Sequence, residues 1–177
     1  MTDDLESRGE SGYRIEPGRG PRLRSDVIDC YVFRRTGEGG IEFLQMRRAG
    51  KPLAGTWQPV MGHIEAEERA WETAVRELGE EISLEVSSEA CLGMWALEQV
   101  YPYYLADLDA IVLSPRFACE VEAGFEPKLN EEHTDWRWVR DASDFMWPGQ
   151  QHAVSEIESA IAPVEAPARQ GLRLRLT

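Results

Sequence analysis

The chain has 177 residues, 42% of them hydrophobic, which suits one domain with a real core and short extensions rather than two domains. Asp plus Glu number 32 against 19 Lys plus Arg, a formal net charge of -13. So acidic a surface repels nucleic-acid backbones over long range, which argues against duplex binding. A polyanionic small molecule would need a cation to approach it.

Residues 1–22 are polar and end in Pro17-Gly18-Arg19-Gly20-Pro21, a composition that reads as a flexible N-terminal arm. The first residues, among them Asp3, Asp4 and Glu6, do not resemble a secretion signal, and no apolar run is long enough to cross a bilayer. The expectation is a cytoplasmic protein with no membrane partner. Three scattered cysteines, Cys30, Cys91 and Cys119, form no CxxC pair and read as reduced, buried small hydrophobes.

Residues 27–33 are rich in β-branched and aromatic side chains and predict a strand. A turn at 37–40 leads to its hairpin partner at 41–46. Residues 47–56, with Pro52 and Gly55, predict a loop, and 57–60 a short strand. Residues 69–82 predict a helix, because Trp71, Val75, Leu78 and Ile82 recur at helical spacing. Residues 92–104 and 109–121 predict two longer strands, 136–139 a short one, and 150–161 a second helix with Val154, Ile157 and Ile161 on one side. Residues 163–177 read as a C-terminal tail, in which Leu172 and Leu174 could add an edge strand. The main body is therefore 23–162. Helices flanking a mixed sheet make an α/β sandwich.

The helix at 69–82 breaks local rules. Glu77, Glu80 and Glu81 crowd its last turns, where the helix dipole favours cations. Like charges at i,i+3 and i,i+4 cost about 0.2–0.5 kcal/mol per pair on an isolated helix. At roughly 100° per residue, these carboxylates lie about 130° around from the Trp71–Ile82 stripe. One face should bury and another should show carboxylates. A divalent cation such as Mg²⁺, which prefers hard oxygen ligands, would relieve the repulsion. Arg76 could orient a carboxylate through paired hydrogen bonds, with Glu68 as a partner. Gly79 either clears room beside the carboxylates or is a neutral replacement.

The order Gly62, Glu68, Arg76, Glu77, Leu78, Glu80, Glu81 and Leu84, at these spacings, resembles the Nudix box. Ser83 stands where that family has Gly, and Ser in a left-handed conformation would cost about 1 kcal/mol. A looser likeness to the dihydroneopterin triphosphate pyrophosphohydrolase branch spans much of 26–161. It rests on Leu44-Gln45-Met46-Arg47-Arg48, Trp57-Gln58-Pro59-Val60-Met61, Glu132-His133, Trp136-Arg137-Trp138-Val139, Trp147 and Gln151.

The resemblance implies a Nudix-type α/β/α sandwich with a mixed central sheet. It implies that the Gly62 carbonyl, Glu77, Glu80, Glu81 and Glu132 hold Mg²⁺ or Mn²⁺, and that Glu77, Glu80 and Arg76 serve catalysis. Water would attack one phosphorus of a pyrophosphate link while the cation neutralises phosphate charge. Arg47 would contact phosphates, and Met61 and Tyr101 would line the substrate site. The implied partner is a small nucleotide-like substrate, a nucleoside or pteridine triphosphate. Dinucleoside polyphosphates, ADP-ribose and a nucleotide-sensing role without cleavage stay open, as does a homodimer. Of Trp95, Tyr101, Tyr103 and Tyr104, one is expected to stack on a ring; His63 and His152 read as solvated loop residues.

Overall fold

The computed structural model describes residues 20–37, 39–51, 53–145 and 147–162. Most of the expected N-terminal arm and all of the C-terminal tail, with its suggested edge strand, lie outside the described residues. In chain order the strands and helices are β1 (Arg22–Arg24), β2 (Val27–Arg35), β3 (Ile41–Arg48), β4 (Trp57–Gln58), β5 (Val60–His63), α1 (Ala70–Ile82), β6 (Cys91–Ala96), β7 (Tyr103–Leu105), β8 (Ala110–Val112), β9 (Arg116–Val121), β10 (His133–Val139) and α2 (Pro148–Ala160).

Strand β2 organises the molecule. Ile28 to Phe33 are all buried, so the strand is covered on both faces. Its alternate residues feed two separate cores, as the period of two requires. Ile28, Cys30 and Val32 pack with Ala74, Leu78 and Ile82 of α1 and with Phe117 and Cys119 of β9. Tyr31 and Phe33 pack with Ala153, Val154 and Ile157 of α2 and with Phe43. One helix therefore covers each face of the sheet, and the fold is the expected α/β/α sandwich.

The larger sheet runs β10-β3-β2-β9-β6, with β4 added to β3 and β5 added to β2. It is mixed: β2 and β9 are parallel, while β2 is antiparallel to β3 and to β5. The first half of β2 pairs with β5, from Val27 opposite His63 to Cys30 opposite Val60. Its second half pairs with β3, from Phe33 opposite Phe43 to Arg35 opposite Ile41. This change of partner brings Gly62 beside the middle of the sheet.

Several boundaries differ from the sequence reading. The two long strands expected at 92–104 and 109–121 are each broken. Only β6 and β9 join the large sheet; β7 and β8 make a three-stranded sheet with β1, in the order β1-β8-β7. Pro102 and Pro115 fall in the breaks, where a residue without an N–H cannot continue a ladder. The strand expected at 57–60 is split at Pro59 for the same reason. Strand β3 runs on to Arg48, two residues into the expected loop.

Helix α1 starts where the Glu72 carboxylate accepts a hydrogen bond from the Arg69 N–H at 2.8 Å, half of a capping box. It ends at Ser83 in the left-handed conformation, φ 56° and ψ 34°. The Ser83 N–H bonds the Gly79 carbonyl, and its hydroxyl donates to the Lys128 carbonyl at 3.2 Å. That last bond offsets part of the expected cost of a non-glycine here.

The buried face of α1 is not the one the apolar spacing suggests. Thr73, Ala74, Glu77, Leu78, Glu81 and Ile82 are buried, whereas Trp71 is 37% exposed. The helix is turned toward its glutamates by roughly a quarter turn relative to the Trp71–Ile82 stripe. Trp71 and Val75 instead border an open groove with Gly79, Leu84 and Val86. Gly79 has open space at its missing Cβ, so it does not clear room for the carboxylates.

Candidate active site

Gly62 lies on β5 facing α1, two residues from the buried Val60–Cys30 pair. A Cβ at Gly62 would overlap the Glu77 carboxylate and its stem. Its φ is not positive, so close approach rather than backbone freedom requires glycine here. Replacing it with Ala is expected to displace Glu77. Overpacking of this kind costs about 1–3 kcal/mol, so a Gly62→Ala protein should melt at lower temperature. An unchanged melt would contradict this placement.

Glu77 and Glu81 sit under the sheet, 8% and 1% exposed. Burial raises both carboxyls above their ordinary range, and the nearby Glu132 raises both further. Glu81 also feels Glu77 and is pushed up to about 9. The Met61 N–H supports it from β5, yet its Oε2 is buried without a hydrogen-bond partner. Two buried carboxylates with a third facing them across a loop are a costly arrangement in the absence of a counter-ion.

Arg76 supplies part of that counter-charge. Its Nε and Nη2 hold the Glu68 carboxylate at 2.9 and 3.1 Å. Its Nη1 donates to Glu77 at 2.8 Å and to Glu80 at 2.9 Å, and its Nη2 also donates to the His63 carbonyl at 3.0 Å. All five guanidinium donors are thus committed. Glu68 in turn accepts from the Thr73 hydroxyl at 2.7 Å and the Glu65 N–H at 3.1 Å. Arg76 and Thr73 hold the Glu68 carboxyl down at about 2. This network ties the loop before α1 to the carboxylates on the helix.

The proposed residues are not gathered into one cluster. Glu80 stands on the solvent side, with 56% of its side chain exposed, joined to Glu77 only through Arg76. Among the described residues, no three acidic, His or Cys side chains converge as a closed metal cage. The donor set still fits a divalent cation: hard oxygens, mutual repulsion between Glu77, Glu81 and Glu132, and an orphaned carboxylate oxygen on Glu81.

Arg47, expected from the resemblance to contact phosphates, and its neighbour Arg48 lie on opposite faces of the sheet. Leu44 and Met46 face α1 while Phe43 faces α2, so alternation puts Arg48 on the α1 side and Arg47 on the other. Arg47 is exposed. Arg48 is half-buried, its Nε lacks a partner, and its charge acts on both Glu81 and His133. Two adjacent arginines at a strand end cannot be told apart by sequence until the strand's register is known.

Met61 faces away from Gly62, toward α2, opposite Asp29 of β2. Tyr101 lies on that same side, with its ring 5.1 Å from the Arg116 guanidinium and stacked on His152 at 4.4 Å. His152 is therefore on the exposed side of α2, not in a loop. Trp95 is a core residue, and Tyr103 and Tyr104 are largely exposed on the small sheet. The open groove beside Trp71 borders Arg76 and Glu80 but not Glu77 or Glu81, so it is not this site. No helix among the described residues is long and apolar enough to cross a membrane.

Known proteins resemble this chain in sequence and in fold. The family described as "NUDIX domain" matches residues 23–149. Dihydroneopterin triphosphate diphosphatase of Haemophilus influenzae is 34% identical over 90 residues, which cover 47% of this chain and only 56% of that protein. Among solved structures, a C. elegans Ap4A hydrolase binary complex superposes with a TM-score of 0.63 at 19% identity, over 78% of this chain and 98% of that one. The E. coli dihydroneopterin triphosphate pyrophosphohydrolase gives a TM-score of 0.62 at 17% identity, over 77% and 95% of the two chains. Likeness at such low identity speaks to fold, whereas the family match spans the box, the sheet and the start of α2. This chain belongs to the Nudix family.

Proposed function

We propose that this protein is a pyrophosphohydrolase that depends on Mg²⁺ or Mn²⁺ and cleaves a nucleoside or pteridine triphosphate to a monophosphate and pyrophosphate. The observation that carries this reading is the buried pair of Glu77, held against Gly62, and Glu81, held by the Met61 N–H, with Glu132 facing both. The partial match to a diphosphatase of the same substrate class supports the choice of substrate. A dinucleoside polyphosphate or ADP-ribose is the second reading, favoured by the fold likeness to an Ap4A hydrolase.

In this proposal the Gly62 carbonyl, Glu77, Glu81 and Glu132 hold the cation, with Glu80 at the outer edge. When bound, the cation neutralises phosphate oxygens and makes water a better nucleophile. Arg76 fixes the Glu77 carboxylate, and Glu80 is placed to accept a proton at the solvent side. Arg48, with an unused buried donor, is better placed than Arg47 to receive a phosphate oxygen. The Trp138 and Trp136 rings pack on the α1-side core and wall this end of the sheet.

Incubation with Mg²⁺ and a panel of dNTPs, dihydroneopterin triphosphate, diadenosine polyphosphates and ADP-ribose tests the reading. Release of pyrophosphate from a triphosphate supports it. Binding with no product from any compound would favour a sensing module instead.

A pH dependence follows from Glu81. Its folded value of about 9 lies above its ordinary 4.5, so the folded metal-free protein keeps a proton that the unfolded chain has lost. The associated stability is fully present below about pH 4.5 and is lost as pH rises through about 9. Mg²⁺ competes with that proton. The rise in melting temperature on adding Mg²⁺ in place of EDTA should therefore be larger at pH 9 than at pH 6. An equal rise at both would count against Glu81 as a ligand.

A further inference from the structure

A pair of thiols meets near the end of the large sheet, outside the carboxylate site. β6 is the last strand in the order β10-β3-β2-β9-β6, and its first residue is Cys91. The Cys91 Sγ lies 3.7 Å from the Sγ of Cys119 on β9, although the two residues are 28 positions apart in the chain. The sequence reads all three cysteines as buried small hydrophobes. Cys30 and Cys119 are 0% exposed in the α1-side core, but Cys91 is only half-buried at the margin of that core. A bulge accounts for the meeting. Cys91 pairs with Val121 and Met94 with Cys119, and the register shifts between Cys91 and Gly93. Cys119 thus lies diagonally across from Cys91 on the same face of the sheet, and the extra residue bends β6 there.

The contact makes the two thiols unlike. A hydrogen bond from Cys119 to the Cys91 sulfur holds the Cys91 thiol down at about 7, against the opposing effect of burial. The same bond, followed by burial, pushes the Cys119 thiol up. Cys91 therefore has thiolate character near neutral pH and is open to small solutes, the two properties that make a thiol react with peroxides. Cys119 is sealed from solvent and lies where a resolving thiol must lie, against the sulfur that reacts first. A disulfide has an S–S length of about 2.0 Å, so the sulfurs must approach by roughly 1.7 Å. Side-chain rotation at the first residue of a bulged strand supplies a movement of that size.

We propose that Cys91 and Cys119 form a reversible oxidation site, in which a hydroperoxide oxidises Cys91 and Cys119 then closes a disulfide between β6 and β9. In the first step the Cys91 thiolate attacks one oxygen of the hydroperoxide. The S–O bond forms, the O–O bond breaks, and the leaving oxygen takes up a proton to become water or an alcohol. In the second step Cys119 attacks the sulfur of the Cys91 sulfenic acid. The S–S bond forms, the S–O bond breaks, and the hydroxyl group leaves as water with the Cys119 proton. Two thiols lose two electrons and one hydroperoxide gains them. A dithiol reductant reverses the change by exchange. The bond ties the first residue of β6 to β9 two residues before Val121, where β9 ends and the chain runs on toward Glu132.

The test treats the whole reduced protein with hydrogen peroxide in EDTA, blocks remaining thiols by alkylation, and reads intact mass and mapped peptides. The expected result is a loss of about 2 Da, the two thiol hydrogens, with one linked peptide that joins Cys91 to Cys119 and with Cys30 still a thiol. Dithiothreitol should return both thiols. Cys91→Ser should abolish the bridge. Cys119→Ala should leave a Cys91 sulfenic acid that dimedone traps. Thermal melts check that both variants fold, and Cys91→Ser, at a half-buried position, keeps the test decisive if Cys119→Ala does not. A Cys91 that does not react, or one that passes to sulfinic acid while Cys119 stays a thiol, would overturn the proposal. So would a bridge to Cys30 or one between two copies of the chain.

Discussion

Replacing Glu77 by Gln is expected to reduce kcat by roughly 10³-fold, the scale lost when one preorganised electrostatic group is removed from an active site. Glu77 is the point where the proposed cation site, the Arg76 network and the close approach of Gly62 meet. Gln has the same shape, so the packing against Gly62 survives. It lacks the negative charge that a divalent cation needs. Burial already raises the Glu77 carboxyl above its ordinary range, so the metal-free fold gains nothing from that charge. The variant should therefore melt at the same temperature as the parent in EDTA, or slightly higher, while losing turnover and the Mg²⁺-dependent rise in melting temperature. Steady-state kinetics on the best triphosphate, with melts in EDTA and Mg²⁺, measure both. Full activity in this variant would remove Glu77 from the chemistry and the present assignment with it.

Arg76→Ala is expected to lower stability as well as activity, which separates it from Glu77→Gln. The change deletes five hydrogen bonds at once, to Glu68, Glu77, Glu80 and the His63 carbonyl. Glu77 would be left buried with Glu80 and Glu132 as its charged neighbours. Bonds to charged groups contribute about 1.5–3 kcal/mol each when buried, but Arg76 is partly exposed and solvent replaces some of them. A net loss of about 2–3 kcal/mol is expected, roughly 5–10 °C in Tm for a domain of this size. Activity should fall because nothing else orients the Glu77 carboxylate. Arg76→Lys should recover part of the stability by restoring the charge, but little of the activity, because one ammonium cannot serve four acceptors in the guanidinium's fixed plane. If Lys restored full turnover, Arg76 would be acting through charge alone rather than through orientation.

The site was partly legible because its rule-breaking is local. Three glutamates at the end of a helix, with a glycine and an arginine at fixed distances, can be read without any fold, and α1 and Ser83 lie where those signals put them. Strand boundaries were less legible at 92–121, where β-rich composition continues through Pro102 and Pro115 and only the missing N–H groups show that two sheets share the segment. The burial of Asp29 and Arg116 side by side gave no signal at all, since they come from distant stretches of the chain.

The sequence by itself determined the helix, its carboxylates and the sandwich class, because each depends on residues within a few turns of one another. Tertiary structure alone decided which way those pieces face. The rotation of α1 that buries Glu77 and Glu81 and exposes Trp71 is set by the fit of Glu77 against a strand with no side chain at Gly62. That Arg48 rather than Arg47 lies on the α1 face is set by the pleat of β3, where a shift of one residue exchanges the two faces of the sheet. Contacts of that kind join positions far apart in the chain, and periodicity within a single segment carries no record of them.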